Sequence, residues 1–198
     1  NPVEKGHPGQ IRRAVEQMLA AERPVIYTGG GVILSDASEE LREFVKTTGF
    51  PITSTLMGLG AYPGTDEGFL GMLGMHGTYR ANMVTGACDL MVAVGVRFDD
   101  RVTGRTDAFA SQAEVVHIDI DPTSIRKNVP VSTPVVGDCR ITVKELNRML
   151  AEAGPIYDPS SRRKWLDQIE DWKSTRPLAY EQRDSIKPQF VIEQLYEL

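Results

Sequence analysis

Leu90-Met-Val-Ala-Val94 runs straight into Gly95-Val-Arg-Phe-Asp-Asp-Arg101, and the reading of this stretch decides the fold. An unbroken apolar run suits a strand buried on both faces, as in a parallel sheet. The residues after it, Gly95, Arg97, Asp99, Asp100 and Arg101, crowd both signs of charge at one strand end. Such crowding is costly to maintain unless something polar binds there. Upstream lies Gly71-Met-Leu-Gly-Met-His-Gly77, whose glycines let a backbone approach a flat or phosphorylated ligand closely. The two segments together read as a cofactor crevice at the end of a buried strand.

Further β-rich runs end in turn residues at Pro24–Tyr27, Pro51–Ser54, Val115–Ile120 and Pro134–Val136. Helical patterns alternate with them. Ile11, Val15, Met18 and Leu19 keep a helix spacing, and Ala81, Val84 and Ala87 share a face after Gly77. Asp36 and Glu39 have the spacing of a capping box ahead of Leu41, Phe44 and Val45. Asp121-Pro122 reads as an N-cap with proline at the first helical position. Asp138 is placed to cap a helix carrying Val143, Leu146 and Leu150. Alternating strand and helix predicts an α/β fold, a doubly wound parallel sheet with helices on both faces.

The texture changes near Gly154. Asp158-Pro159 can open a helix with Trp165, Leu166, Ile169 and Trp172 on one side, before Pro177 and Pro188 interrupt. Phe190, Ile192, Leu195 and Tyr196 then form another apolar face. The expected organisation is an α/β domain over 1–155, a linker packed on its surface over 156–189, and the start of another domain over 190–198. The chain opens at Asn1 without methionine and stops at Leu198 inside a helical pattern, as a piece of something longer would.

The 198 residues carry a formal net charge of −5 and no basic stripe, which argues against nucleic acid as a partner. Cys88 and Cys139 show no metal or CxxC spacing and are expected to be buried free thiols in a reducing cytosol. No apolar run approaches the ~18 residues of a membrane span, and no signal peptide is evident, so a soluble cytoplasmic protein without membrane contact is expected. His7, His76 and His117 are scattered and give no metal spacing. No metal site is expected in this chain.

In a doubly wound sheet, ligands sit beyond the carboxyl ends of the strands. Gly29-Gly30-Gly31 follows the first strand and either admits a pyrophosphate or makes a tight turn. In Thr55-Leu56-Met57, Met57 is either a wall against a ring system or core. Gly74-Met75-His76 precedes a helix, and His76 either donates to a flavin or nucleotide or is structural. Arg97 can hold a pyrophosphate through paired hydrogen bonds, or join a solvated loop of internal salt bridges. Asp100 and Arg101 can line a neighbouring substrate channel. Asp119 is better placed for ribose or adenine than the capping Asp121, and Asp138 can close the adenosine end.

Taken together, Thr28-Gly-Gly-Gly31, Ser54-Thr-Leu-Met-Gly-Leu-Gly60, Gly71-Met-Leu-Gly-Met-His-Gly-Thr78, Gly95-Val-Arg-Phe-Asp-Asp-Arg-Val-Thr-Gly104 and His117-Ile-Asp-Ile-Asp-Pro122 resemble the acetolactate synthase (acetohydroxyacid synthase) family. The match is to the central domain of its catalytic subunit, and Ile186-Lys-Pro-Gln-Phe190 resembles the link into that enzyme's C-terminal domain. Phe98-Asp-Asp-Arg-Val-Thr-Gly104 is the specific part, and the glycine triplet is not.

The resemblance implies a six-stranded parallel, dinucleotide-binding-like sheet that holds FAD, without a net redox role. It implies FAD contacts from Gly29, Gly30, Gly31, Thr55, Leu56, Met57, Gly74, Met75, His76, Gly95, Arg97, Asp99, Arg101, Val102, Asp119, Ile120 and Asp138. Met75, Asp100 and Arg101 would border the channel to the thiamine, where family herbicides bind. The implied activity uses thiamine diphosphate and Mg²⁺ to decarboxylate pyruvate and join the two-carbon unit to pyruvate or 2-oxobutyrate, toward branched-chain amino acids. The implied partners are N- and C-terminal domains of the same chain, a second copy or copies in a homodimer or tetramer, and a small regulatory subunit.

One departure limits what this chain does alone. The family's cofactor-protonating glutamate and its Gly-Asp-Gly motif for Mg²⁺-diphosphate belong to the flanking domains. Gly137-Asp-Cys139 lacks the last glycine. No catalytic residue is therefore assigned, and the isolated chain is expected to be inactive. Two other readings stay open: a cofactor-free spacer domain of another thiamine enzyme, and a stand-alone nicotinamide-dinucleotide enzyme.

Overall fold

Strand β1 (Pro24–Thr28) and the strand first read from the sequence (Leu90–Val94) lie side by side, every residue buried in both. They form the middle of a six-stranded sheet in a computed structural model that describes residues 3–154, 160, 162–176 and 178–198. In chain order the other strands are β2 (Ile52–Ser54), β3 (Phe69–Met72), β5 (Glu114–Asp119) and β6 (Thr133–Val136), which makes Leu90–Val94 β4. The spatial order is β3-β2-β1-β4-β5-β6 and all pairings are parallel. The order reverses between β1 and β4, which is where such sheets open a crevice for ligands.

Strand β3 has no apolar run to mark it in the sequence and adds to the strands expected there. It is four residues long, only Leu70 is fully buried, and Gly71 at φ +86° interrupts it. It stands at the sheet edge, where one neighbour suffices. Its carbonyls are also taken by side chains: Arg80 donates to Phe69 O (3.2 Å) and Leu70 O (3.0 Å), and Thr78 Oγ1 donates to Leu70 O (2.6 Å).

Helices α1 (Pro8–Ala20), α3 (Ser38–Thr48) and α6 (Cys139–Ala153) cover one face of the sheet. Ile11, Ala14, Val15 and Met18 form the buried stripe of α1, while Leu19 turns outward. A capping box at Asp36 and Glu39 does not form: Ala37 is the N-cap residue, and Asp36 sits at φ +53° with its carboxylate 3.5 Å from Arg140. On α6 the expected cap is present, with Asp138 accepting from Ile141 N at 3.1 Å. Val143, Leu146 and Leu150 are buried beneath it.

The opposite face is covered by α4 (Tyr79–Ala87) and α7 (Arg163–Thr175). Trp165, Ile169 and Trp172 of α7 are buried against Val25, Tyr27, Ala81, Val84 and Met91. Trp165 Nε1 donates to Pro24 O at 3.1 Å, and Arg162 Nε donates to Ala21 O at 3.1 Å. Segment 156–189 therefore contributes a helix to the body of this face. The expected helix start at Asp158-Pro159, and Pro177, lie outside the described residues. No helix opens at Asp121-Pro122; Asp121 instead caps a turn, accepting from Thr123 N (2.9 Å) and Ser124 Oγ (3.2 Å).

The remaining α-helices of the described residues are α2 (Gly30–Leu34), α5 (Asp100–Thr103) and α8 (Pro188–Glu197), the last with no buried residue. Cys88 and Cys139 are free and buried, and burial pushes both thiols up to about 12. Among the described residues, no helix is long and apolar enough to cross a membrane.

Candidate functional site at the carboxyl ends of the strands

The loops after β1, β4 and β5 are locked together before any ligand is considered. Gly29 N donates to Val94 O (3.0 Å), Gly31 N to Gly95 O (3.1 Å), and Gly95 N to Ile118 O (2.8 Å). A Cβ on Gly95 would lie 2.7 Å from Gly31 Cα, and one on Gly29 would lie 2.3 Å from Gly95 O. Backbone against backbone thus accounts for Gly29, Gly31 and Gly95. The floor of the switch-point crevice is closed by this contact, so a ligand would lie across the top of the loops. Gly30 faces the next loop, its Cβ position 3.2 Å from Met57 Cβ.

That next loop follows β2. Thr55 Oγ1 accepts from Gly58 N at 3.1 Å and starts a single 3₁₀ turn, Leu56–Gly58. The turn pushes its apolar side chains outward: Leu56 is 69% and Met57 72% exposed. Met57 is therefore not core. Met75 in the loop after β3 is 78% exposed. Gly74, at φ +87°, is held from both sides by Asn82, which donates to Gly74 O (3.0 Å) and accepts from Gly74 N (2.8 Å). His76 is exposed and does not cap α4, a role taken by Thr78, which accepts from Ala81 N at 3.1 Å.

The loop after β4 carries the charge. Arg97 and Asp99 pair at 2.6 Å, both well exposed. Asp100 Oδ1 accepts from Arg101 N at 2.9 Å, and the Arg101 side chain is exposed. Arg101 O accepts from Met75 N at 3.4 Å, which ties this loop to the one after β3. Val102 is half-buried and packs on the aromatic cluster below. The resemblance-implied residues Met57, Met75, Arg97 and Arg101 thus all project from one crest.

The remaining implied contacts are less free. Asp119 is nearly buried, and its Oδ1 already accepts from Asp121 N at 2.8 Å. Burial raises its carboxyl above the ordinary range. Ile120 beside it is half exposed. Asp138 is occupied as the cap of α6.

Three residues matter here for which no binding role is expected from the sequence, His117 being read there as structural. His117, one row below Asp119, is fully buried. Its Nε2 lies 2.8 Å from Val96 O, so the proton sits on Nε2 and donates to that carbonyl. Its Nδ1 has no hydrogen-bond partner among the described residues, and burial lowers the imidazole below its ordinary value. The signal was a lone histidine inside an apolar strand. Phe98 is the one inward-turned side chain between Arg97 and Arg101. Asn128 clasps that loop, donating to Phe98 O at 2.9 Å, with no sequence signal to mark it.

A cavity of about 1250 Å³ lies elsewhere, between α1 and α6, lined by residues such as Ile11, Pro134, Ile141 and Ala151. None of the crest residues contributes to it. The crest is singled out by its chemistry. Among the described residues no cluster of three or more His, Cys, Asp or Glu is arranged for a metal ion.

The exposed side chains suit a ligand that joins a planar ring system to a diphosphate. Exposed Leu56, Met57 and Met75 offer an apolar bed for a planar ring system, and exposed arginines stand beside it for a diphosphate.

Residues 11–146 match the model of the thiamine pyrophosphate enzyme central domain. The whole chain aligns at 45% identity with the acetolactate synthase large subunit of Haemophilus influenzae, and at 45% with the isozyme 3 large subunit of Escherichia coli. It aligns at 43% with an acetolactate synthase of Mycobacterium avium. All of this chain is covered in each case, but it spans only 32–35% of the length of these relatives. A match over more than half of the residues, on a sheet of matching character, settles the family: this chain belongs to the thiamine pyrophosphate enzyme central domains.

Proposed function

We propose that this chain is the FAD-holding central domain of an acetolactate synthase catalytic subunit. The observation that carries the reading is the crest itself. Large apolar side chains stand exposed beside paired charges at the ends of buried strands, an arrangement that costs free energy in water. Relatives named acetolactate synthase that align along the entire chain support it.

On this reading, Arg97 releases Asp99 and holds the diphosphate, while Leu56, Met57 and Met75 pack against the ring system. Gly29, Gly30, Gly31, Gly74 and Gly95 hold the loops low enough for it to lie across them. Asp119 receives a ribose hydroxyl on its remaining oxygen. Bound there, FAD supplies a planar wall without net electron transfer. Asp100, Arg101 and Met75 border the path to the thiamine diphosphate. That cofactor and its Mg²⁺ are bound by flanking domains, where pyruvate is decarboxylated and its two-carbon unit joined to a second 2-oxo acid.

The same reading assigns 1–155 to the FAD domain and 190–198 to the start of the thiamine diphosphate domain, with 156–189 between them. It places the protein in the cytoplasm, as a homodimer or tetramer with a small regulatory subunit. A second reading, a cofactor-free spacer, draws on the packing that already explains Gly29, Gly31 and Gly95.

Purified full-length protein separates the two. We expect a flavin absorption spectrum, acetolactate formed from pyruvate with thiamine diphosphate and Mg²⁺, and FAD affinity weakened about tenfold or more in Arg97→Ala. Acetolactate formation without bound or required flavin would favour the spacer. Absence of both would overturn the assignment.

A further inference from the structure

We infer that Phe98 is the positioning residue of the crest, a buried ring that sets where Arg97, Asp99, Arg101 and Met75 stand. The ligand half of this inference rests on the flavin reading; the loop half does not.

Phe98 adopts φ +52°, a backbone conformation that a bulky side chain takes only when its surroundings compel it. Its ring meets three others edge-on: Tyr27 at 5.6 Å, Phe109 at 5.9 Å and His117 at 5.0 Å between centroids. The site for it is prepared by the sheet register. Tyr27, Ala93 and His117 are direct neighbours across β1, β4 and β5. The methyl of Ala93 leaves a hollow between two large rings, directly under the loop that leaves β4. Phe98 fills it, and Asn128 fixes the carbonyl above.

What the ring holds then extends along the chain. Asp99 O accepts from Val102 N and Thr103 N, both at 3.0 Å, and so starts α5. Through Arg101 O and Met75 N the same turn engages the loop after β3. A Cβ on Gly74 would lie 2.8 Å from Val102 Cα, so those two loops are in backbone contact. One ring therefore registers two loops that would both face a ligand.

The test uses the full-length protein with Phe98→Ala, Phe98→Leu and, as a core control on the other sheet face, Phe44→Ala. Hydrogen exchange at amides 96–103 and 74–76 should quicken about tenfold or more in Phe98→Ala, less in Phe98→Leu. Phe44→Ala should leave those amides unchanged while lowering the melting temperature. The FAD dissociation constant should rise about tenfold in Phe98→Ala and stay near the parent value in Phe44→Ala. Unchanged exchange at both segments, or equal loosening by Phe44→Ala, overturns the inference. If the parent protein binds no FAD, the flavin reading fails and the exchange comparison still decides the loop role. If Phe98→Ala does not fold, Phe98→Leu carries the same two outcomes.

Discussion

The two faces of the sheet are packed with different chemistry. Under α1, α3 and α6 the core is mainly aliphatic, with Ile26, Val92, Val116 and Leu146 among its members. Under α4 and α7 it is built around Tyr27, Phe98, Trp165 and Trp172, with His117 beside them. Aliphatic side chains bury area without direction. Aromatic and polar ones bury comparable area but also fix orientation through ring edges and N–H groups. The first face holds the fold together. The second also sets the position of the crest loop after β4 and of the helix that follows Gly154.

The largest effect that would test this contrast is at Trp165. If α7 belongs to the body of the second face, Trp165→Ala should cost about 3–5 kcal/mol in a urea denaturation. A cost below about 1 kcal/mol, in the range of a surface substitution, would reduce α7 to a loosely laid strap. Next is the glycine contact above the sheet. Gly95→Ala adds a carbon 2.7 Å from Gly31 Cα at φ +62° and should cost about 2–3 kcal/mol. Gly86→Ala, on helix α4 with nothing within 4 Å, adds the same carbon in open space and should be neutral or stabilise by up to about 1 kcal/mol. Equal costs would mean that the loops do not depend on touching.

The smallest effect concerns pH. Burial lowers His117 below its ordinary value of 6.5, so the unfolded chain takes up that proton more readily than the folded one. Stability contributed by neutral His117 is present above 6.5 and is lost as pH falls from there through the lowered folded value. The melting temperature should decline from pH 7.5 to 5.5, and His117→Asn should shrink that decline. An identical slope in the variant would remove His117 from the account.

Legibility in the sequence follows the same division. Periodicity exposed the aliphatic face, because Ile11, Val15 and Met18, or Val143, Leu146 and Leu150, differ sharply from their polar neighbours. It failed at Asp36, where the helix begins without a side-chain cap, and at β3, too short and too interrupted by glycine to stand out. At the crest, residue types pointed to the loops, where Leu56, Met57 and Met75 stand exposed. The use of Gly29 and Gly31 was not legible, since only a third residue, Gly95, reveals that they are packing contacts. The role of Phe98 is not legible in its motif, because its partners Tyr27 and His117 are distant in sequence and meet it only through strand register.

Arg80 and Thr78 on the edge strand β3 have a consequence for solubility. An open edge offers carbonyls to any extended chain that passes, and stacking of edges is a route to aggregation. Here the carbonyls of Phe69 and Leu70 are already engaged by side chains from the adjoining loop and helix. A guanidinium lying along that border also leaves a charge where an incoming strand would have to be apolar. This short edge strand is thereby made a poor template for assembly.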